Sequence, residues 1–243
     1  MGLVLTDGMS GCEEKTNEQI GDLTNVTFIG GSAGDDLRFE RTYVYANGEA
    51  YTNAALLVVF KPLAKFSFLK TQSFRPTNRV LKVTKLNAAR REVIEFDHQP
   101  AADAYAHALG VPTEQLAEHL FRNPLGLMFD EQTPFVRSPL RTENGSVLFY
   151  CGVKEGMHLT LLESTDIVGD TARALEREKK ALGGLSAIIN FNCILRTLDL
   201  KAQNLTGPYG ELFRDVPTVG LSTYGENYIG FINQTATMLL FKE

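Results

Sequence analysis

Cysteine is scarce in this sequence, and the cysteines present are not spaced as metal ligands or disulfide pairs. There are three, Cys12, Cys151 and Cys193, in a chain of 243 residues. An odd number without a Cys-x-x-Cys motif argues against a disulfide framework and a zinc knuckle. Free thiols are typical of a reducing compartment, so we expect a cytoplasmic protein.

Long hydrophobic runs and an excess of positive charge are also missing. The longest apolar run, residues 54–60, is less than half of the roughly 18 residues that cross a bilayer. The formal net charge of −5 disfavours nucleic acid and anionic membranes as partners. The first residues lack the basic segment and apolar stretch of a secretory signal. Gly2 and Thr6 fit a loose myristoylation pattern, but Leu3-Val4-Leu5 is better explained as a strand, and so early a strand points to an upstream segment.

The hydrophobic content is sufficient for a packed globular core. Apolar residues make up 44% of the chain and charged residues 22%, with 15 phenylalanines and no tryptophan. This composition excludes wholesale disorder. The order of the predicted elements indicates an α+β fold, with mixed β-sheets and helices packed outside them.

The N-terminal part of the chain predicts a β-α-β-β-β unit. Strands are predicted at residues 2–9, 25–29, 41–46 and 54–60, and a helix at 12–23. Residues 30–35 are predicted to turn out of the second strand. Asn47-Gly48 is a strong hairpin signal, and the last strand is predicted to be buried.

The middle of the chain predicts a run of strands, three helices and one irregular loop. The predicted strands are 66–73, 79–86, 91–96, 146–153 and 157–163, and the predicted helices are 100–109, 113–121 and 170–182. Three prolines indicate an irregular loop over residues 123–139. Gly183-Gly184 is a usual end of a helix.

The C-terminal part repeats the N-terminal part. Strands are predicted at 186–193, 217–221 and 235–241, and a helical segment at 207–213. In both parts a strand reaches a glycine, Gly30 or Gly220, and a serine, a small residue, a glycine and an acid follow. Both parts then end in an apolar strand. We therefore predict an internally duplicated β-α-β-β type unit, in which Tyr224 is an extra residue of the second turn.

Residues 30–34 match the G-x-S-x-G pattern of the nucleophile elbow in α/β-hydrolases. The elbow requires a helix directly after the serine, whereas residues 35–46 predict a polar turn and an alternating strand. A catalytic partner for Ser32 does not stand out among His98, His107, His119 and His158. A glycine-rich turn that lets the backbone approach a small polar ligand is favoured. Triphosphate is disfavoured as that ligand, because the lysine of a P-loop is missing.

The end of the strand at residues 186–193 brings a thiol and a guanidinium close together in sequence. Arg196 could clamp a carboxylate through two parallel hydrogen bonds. Cys193 is a candidate nucleophile, but a buried free cysteine is favoured because no histidine or acid is near it in sequence. The histidines form no pair at metal-ligand spacing, so a protein-bound metal is not predicted. A single axial haem ligand would leave no spacing to detect.

Four stretches carry a resemblance to a known family. They are residues 29–35 with the Asn47-Gly48 hairpin, residues 74–77 with 83–85 and 100–110, Phe191-Asn192-Cys193 with Arg196, and residues 222–226 with Asn233-Gln234-Thr235. Together they resemble a FIST domain, a sensory module of bacterial and other signalling proteins. The resemblance implies the later part of a FIST N-terminal region at residues 1–62 and a FIST C-terminal region at 63–243. Ile232 departs from the family, in which a histidine usually precedes the Asn-Gln-Thr triplet, and a further Gly-Ser-Thr-Gly-Glu turn is missing.

The resemblance implies small-molecule sensing without catalysis. FIST domains are thought to bind small ligands, amino acids among them. They pass the signal to histidine kinases, as in two-component systems, to diguanylate cyclases or to chemotaxis receptors. One branch is proposed to bind haem and to respond to nitric oxide.

We expect the two glycine-rich turns and the strand end at Cys193 to line one pocket for a zwitterion such as an amino acid. Arg196 would pair with the carboxylate, Glu226 or Asp35 with the amine, and Tyr224 would cover the apolar part. The expected ligand-binding residues are Gly30, Gly31, Ser32, Asp35, Asn192, Cys193, Arg196, Gly220, Ser222, Thr223, Tyr224, Glu226 and Asn233.

No catalytic residue, metal or obligatory cofactor is expected. Three alternatives stay open: a haem-binding nitric-oxide sensor, an enzyme with Cys193 or Ser32 as nucleophile, and a protein-interaction scaffold. Glu226 and Asn233 are equally well explained as structural residues that cap exposed backbone in a turn.

Overall fold

A computed structural model describes residues 1–129 and 133–243. The described residues form two compact units, each with its own sheets and core. Unit 1 is discontinuous and consists of Met1–Ser73 and Asp166–Glu243, whereas unit 2 is Phe74–Thr165. The boundary that the resemblance implies after residue 62 falls inside unit 1.

The strands and helices are numbered in chain order. The strands are β1 (Gly2–Asp7), β2 (Phe28–Ala33), β3 (Val44–Ala46), β4 (Glu49–Tyr51), β5 (Ala55–Val59), β6 (Phe66–Gln72), β7 (Phe74–Asn87), β8 (Glu92–Phe96), β9 (Gln99–Pro100), β10 (Leu125–Met128), β11 (Pro134–Arg137), β12 (Pro139–Glu143), β13 (Ser146–Phe149), β14 (His158–Ser164), β15 (Ala187–Cys193), β16 (Thr218–Thr223), β17 (Glu226–Tyr228), β18 (Phe231–Ile232) and β19 (Thr235–Phe241). The helices are α1 (Glu13–Leu23), α2 (Ala101–Leu109), α3 (Leu116–His119), α4 (Ile167–Leu182), α5 (Ile194–Ala202) and α6 (Thr206–Glu211).

Unit 1 contains two main sheets and a small hairpin. Sheet 1 has the strand order β18-β17-β2-β1-β5, and sheet 2 has the order β16-β15-β19-β6. The hairpin pairs β3 with β4 through Asn47 and Gly48. Both turn residues have positive φ, which is the conformation that an Asn-Gly hairpin turn requires.

The two sheets of unit 1 are built on the same three-strand pattern. In sheet 1, β1 pairs parallel with β2 and antiparallel with β5. In sheet 2, β15 pairs parallel with β16 and antiparallel with β19. Gly30 lies opposite Val4 of the central strand, and Gly220 lies opposite Asn190 at the equivalent position. This common register agrees with the predicted duplication.

The two sheets of unit 1 pack face to face. Ile29 of β2 shares a buried cluster with Phe191 of β15 and Leu239 of β19. The other face of sheet 2 is covered by α4, whose Ala174 and Leu175 pack in a second cluster with residues of β6, β15 and β19. Mixed sheets with helices outside them confirm the predicted α+β fold.

Unit 2 is an antiparallel sheet that packs with α2. Its strand order is β11-β10-β14-β7-β8-β13-β12, and β9 pairs with β8. Tyr105 of α2 is fully buried, meets Phe96 edge to face, and donates its hydroxyl to the carbonyl of Asn123 at 2.5 Å. Along residues 1–129 and 133–243, none of the helices combines the length and the apolar character that crossing a membrane requires.

The longest apolar run predicts a buried strand, and the structure instead places it at an edge of sheet 1. In β5, Leu57, Val58 and Val59 are 48%, 41% and 65% exposed. The prediction is wrong because apolar and β-branched residues favour a strand wherever it lies in a sheet. Only the strand order decides which strand is at the edge.

The loop predicted over residues 123–139 is also wrong, since it contains β10 and β11. A proline is tolerated at the first residue of a strand, and Pro134 begins β11. Residues 130–132 of this loop lie outside the described residues. The helix predicted at 113–121 is a 3₁₀ turn followed by the short α3. The sequence analysis also misses α5, which follows β15 without a turn.

Candidate functional site

The glycine-rich stretches lie inside strands. β2 includes Gly30, Gly31 and Ser32, and β16 includes Gly220 and Ser222. The turn predicted at residues 30–35 is therefore wrong over its first four residues, which belong to β2. A Cβ on Gly30 would lie 1.7 Å from the carbonyl oxygen of Val4. A Cβ on Gly220 would lie 1.9 Å from the carbonyl oxygen of Asn190, so each parallel strand pair requires glycine at this point.

Gly31 leaves space for the side chain of Thr223 on the inner face of sheet 1. It lies opposite Glu226, the first residue of β17. A Cβ on Gly31 would lie 2.4 Å from Cγ2 of Thr223. Any larger residue would displace Thr223, whose hydroxyl binds Glu226.

Glu226 is the centre of a buried polar cluster. Its carboxylate accepts hydrogen bonds from the hydroxyl of Thr223 at 2.6 Å, and from the backbone N–H and the hydroxyl of Thr235 at 3.2 and 2.5 Å. The thiol of Cys193 also hydrogen-bonds the carboxylate. These four residues, Cys193, Thr223, Glu226 and Thr235, are called the Glu226 cluster, and each of them is 0% exposed.

The Glu226 carboxyl is not balanced by a cation within the described parts of the chain. The groups that act on it there are hydroxyls, an N–H and a thiol. Burial raises the pKa of Glu226 to about 7, because the loss of solvation outweighs the hydrogen bonds from Thr223, Thr235 and Cys193. A buried carboxyl that titrates near neutrality is typical of functional sites.

Cys193 is a protonated thiol at neutral pH. Burial raises the pKa of Cys193 well above its usual value, and the neighbouring charge of Glu226 raises it further. The backbone N–H groups of Leu195 and Gln234 point at the sulfur and favour the thiolate, but their effect is smaller. A thiol held in this way is a poor nucleophile, in agreement with the buried free cysteine favoured by the sequence.

Asn233 is fully buried, and its side-chain amide lacks any hydrogen-bond partner among the described residues, at Nδ2 and at Oδ1 alike. Leaving a buried polar group unpaired costs about 1–3 kcal/mol, so each such group calls for an explanation. Asn233 lies next to the Glu226 cluster in the chain. On one side Ile232 pairs with Glu226, and on the other side Thr235 binds the carboxylate.

Arg196 belongs to a second buried network, the Arg196 network. Its guanidinium donates to Oδ1 of Asn192 at 3.0 Å, to the hydroxyl of Ser73 at 3.2 Å and to that of Thr171 at 2.8 Å. Arg196 is 2% exposed, and all three of these acceptors are neutral. The hydroxyl of Tyr209 donates to the same Oδ1 at 3.1 Å.

The Arg196 network and the Glu226 cluster lie on opposite faces of β15. Successive side chains of a strand alternate between its two faces, so Asn192 and Cys193 point in opposite directions. Asn192 belongs to the first group and Cys193 to the second. The structure therefore does not join Arg196 and Glu226 at the two ends of one small pocket.

The two serines of the repeat occupy equivalent polar chains. Oγ of Ser32 lies 2.9 Å from the hydroxyl of Thr6 and donates to Glu13 of α1 at 3.4 Å. Oγ of Ser222 lies 2.8 Å from the hydroxyl of Thr197 in α5. Ser32 is 0% exposed and sits within a strand, so it does not form the exposed elbow of a hydrolase.

Asp35 and Tyr224 close a surface loop. The carboxylate of Asp35 accepts hydrogen bonds from the backbone N–H groups of Phe39, Glu40 and Arg41 at 3.0, 2.7 and 3.0 Å, and from the hydroxyl of Tyr224. Tyr224, followed by these N–H groups, holds the pKa of Asp35 well below its usual value. The Tyr224 ring stacks on Phe39 with centroids 5.1 Å apart. Both side chains are thus engaged in fastening the loop.

The structure sorts the predicted site residues into separate groups. The Glu226 cluster contains Cys193, Thr223 and Glu226; Gly31 lies opposite Glu226, and Asn233 follows its other pairing partner, Ile232. The Arg196 network contains Asn192 and Arg196, and Ser222 is linked to it through Thr197. The surface loop is closed by Asp35 and Tyr224, and the parallel strand pairs contain Gly30, Gly220 and Ser32.

Sequence reasoning misses Thr235, Ser73 and Thr171 as partners of the two buried charges. Thr235 could have been found, since it follows Asn233-Gln234 in the closing signature. No sequence signal marks Ser73 or Thr171, because both are far from Arg196 in the chain. Within the described residues, no group of three or more histidine, cysteine, aspartate or glutamate side chains is placed to hold a metal ion.

Comparisons with known proteins identify the family of the chain. A model of the FIST N domain matches residues 1–99, and a model of the FIST C domain matches residues 101–228. A curated protein of Methanocaldococcus jannaschii, described as uncharacterized, is 26% identical over 196 residues, with 74% of this chain and 38% of that protein covered. The chain thus spans less than half the length of this relative. No solved structure shows a significant match to the chain.

The two family models together cover most of the chain and include every residue of the Glu226 cluster except Thr235. FIST domains are sensory domains of signal transduction. The chain belongs to the FIST family.

Proposed function

We propose that this protein binds a small amino-acid-like molecule as the sensory domain of a signalling system, and that the Glu226 cluster with Asn233 receives the ligand. One observation carries the proposal: among the described residues Glu226 is a fully buried carboxyl without a cation, and Asn233, which follows its pairing partner Ile232, is a fully buried amide without a partner. A protonated amine would supply the missing positive charge. Asn233 would accept from the amine through Oδ1 and donate to the ligand carboxylate through Nδ2.

Glu226 rather than Arg196 is the charge that we assign to the ligand. The guanidinium of Arg196 is 2% exposed and already donates to three oxygens of the protein, which stabilise its charge without a ligand. The Glu226 carboxylate accepts from groups that bind equally well to a carboxylate paired with an amine. Four donors of the protein already bind this carboxylate, so an amine would act by balancing its charge, which no cation among the described residues does.

A closed site of this kind couples binding to a conformational change. Every member of the Glu226 cluster is 0% exposed, so a ligand can enter only if a neighbouring element moves. The hairpin β17–β18 has the two shortest strands at the site, and its turn residue Ile229 is 75% exposed. A ligand shifts a conformational equilibrium only between states that it binds with different affinity, and here the two states would differ in the position of this hairpin. Its movement would pass the signal to a histidine kinase, diguanylate cyclase or chemotaxis receptor.

Two observations support a non-enzymatic role in a reducing compartment. Ser32 is held inside a strand by Thr6 and Glu13, and the thiol of Cys193 stays protonated, so neither candidate nucleophile is activated. Cys12, Cys151 and Cys193 form no disulfide, which supports a cytoplasmic location.

A thermal-shift screen with the twenty amino acids, small amines, small carboxylates and haemin tests the proposal. A ligand at about a hundred times its Kd stabilises the native state by about 2.7 kcal/mol, which is a shift of several degrees for a protein of this size. We expect the stabilising compounds to carry both an amine and a carboxylate. Calorimetric titration of the best compound then measures its Kd.

The matched variants are Glu226→Gln and Glu13→Gln, since both remove a buried carboxyl of unit 1. We expect Glu226→Gln to abolish binding while the protein stays folded, and Glu13→Gln to leave the Kd within about twofold of the original value. No shift with any amine, or a shift that Glu226→Gln leaves unchanged, would overturn the proposal. A shift with haemin alone would favour the haem-binding alternative.

A further inference from the structure

The internal repeat shows how the outer edges of β2 and of its equivalent β16 can be covered. In sheet 1 the outer edge of β2 is covered by β17, which runs antiparallel to it and places Asn227 opposite Gly30. β16 is the repeat equivalent of β2, because Gly30 and Gly220 occupy the same register. In the described chain β16 is the last strand of sheet 2, so this edge has no counterpart of β17.

The outer edge of β16 has none of the features that keep edge strands unpaired. Residues 218–222 are exposed, and the apolar side chains of Val219 and Leu221 are 67% and 43% exposed. The strand Thr218–Thr223 contains no charged residue and no proline, and its register with β15 has no bulge. Monomeric proteins use such features to prevent edge-to-edge pairing, so an edge without them is a pairing surface.

The sequence of β16 is complementary to itself about Gly220. In an antiparallel pair centred on this glycine, Val219 lies opposite Leu221 of the second copy, and Thr218 lies opposite Ser222 of the second copy. Apolar pairs and Thr–Ser pairs are both favourable across an antiparallel ladder. Because the strand has no charge, the pairing opposes no like charges even though the whole chain carries a net charge of −5.

We propose that β16 pairs antiparallel with β16 of a second copy of this chain, so that the two copies of sheet 2 form one continuous sheet across a two-fold axis. A two-fold contact between identical edges is necessarily antiparallel, which is the direction that β17 takes against β2. The edge of one short strand buries less than the roughly 1,600 Å² of a standard interface. We therefore expect a dimer with a micromolar Kd.

Sedimentation velocity over a concentration series from about 1 µM to about 1 mM tests the proposal. We expect a concentration-dependent shift from monomer to dimer. In the double variant Val219→Lys, Leu221→Lys, we expect a monomer throughout, because four ammonium groups would then face one another across the ladder. The matched control is Leu57→Lys, Val59→Lys on the exposed edge strand β5, which should leave the dimer intact.

A wild-type monomer at all concentrations would overturn the proposal, and so would a dimer that the β5 variant abolishes and the β16 variant retains. Circular dichroism establishes that each variant is folded before it is compared.

Disulfide crosslinking tests the register without introducing charge. In a Cys12→Ser background, which removes the exposed cysteine, the double variant Val219→Cys, Leu221→Cys should form a covalent dimer on mild oxidation. Val219→Cys alone should not, because in the proposed register its two copies are diagonal and their Cα atoms are more than about 7 Å apart. Equal crosslinking of the single and double variants would overturn the register centred on Gly220.

Discussion

At the scale of single residues, the two buried charges of unit 1 are treated differently by the fold. Arg196 donates hydrogen bonds to three neutral acceptors, and these bonds stabilise its buried charge. Glu226 is surrounded by donors, but burial still raises its pKa to about 7. The donors cannot offset the lost solvation, so the protonated form is favoured in the folded state.

The raised pKa of Glu226 predicts how stability depends on pH. Because the folded state holds this proton more tightly than the unfolded state, the contribution is fully present below the ordinary pKa of 4.5 and is lost as the pH rises through about 7. The total loss is about 3 kcal/mol. The variant Glu226→Gln resembles the protonated form, so we expect its free energy of unfolding to be closest to that of the wild type at pH 5 and to exceed it most at pH 8.

Urea denaturation of both proteins between pH 5 and pH 8 measures this difference. If the free energies of unfolding differ by a constant amount over the whole range, Glu226 does not titrate there and the assignment is wrong. The same result would weaken the proposed amine site, because that site depends on a carboxyl whose charge is unbalanced.

At the scale of elements, the two parallel strand pairs depend on a glycine at the same position. The neighbouring carbonyl oxygen lies so close that a Cβ on Gly30 or Gly220 would overlap it. The polar chains of Ser32 and Ser222 follow two residues later in both copies. The repeat thus preserves the close spacing of the parallel pairs β1–β2 and β15–β16. The charged residues near these pairs differ between the two copies.

We expect Gly30→Ala and Gly220→Ala each to lower the free energy of unfolding by about 3 kcal/mol, because the strand pair must separate to admit the methyl group. The matched control is Gly21→Ala in α1, where a Cβ would meet nothing within 4 Å. It should raise the free energy of unfolding by about 0.5–1 kcal/mol, since alanine favours a helix. Urea denaturation measures all three, and an unchanged stability of Gly30→Ala would contradict the close approach.

At the scale of the whole molecule, one unit is continuous in sequence and the other is not. Unit 2 is a single segment, Phe74–Thr165, with its own buried cluster around Tyr105 and Phe96. Unit 1 requires both chain ends, since β6 pairs with β19 and β2 pairs with β17. A segment that contains its own core can fold alone.

We therefore expect the fragment of residues 74–165 to unfold cooperatively in urea and to give a dispersed NMR spectrum. The fragment of residues 1–73 should remain unfolded, because it lacks the strands that complete both of its sheets. Circular dichroism and urea titration of the two fragments measure this. A disordered 74–165 fragment would show that unit 2 is not an independent folding unit.

The sequence by itself determined the local elements and the family. Alternation, helical periodicity and the Asn47-Gly48 turn predict most strands and helices, because these signals act between residues close in the chain. The register of the repeat is also visible in the sequence, since glycine is needed at Gly30 and Gly220 for a backbone reason. The signature stretches identify a FIST domain, which the family models confirm.

Only the tertiary structure decided which residues form a site and which strands are left open. Cys193 and Glu226 meet across two sheets, whereas Arg196 binds Asn192, whose side chain points away from that of Cys193 because side chains alternate along a strand. The apolar strands β5 and β16 end their sheets and are exposed, whereas β18 and β6 also end sheets and are more buried. Burial, charge balance and edge position depend on neighbours distant in sequence, so no local pattern contains them.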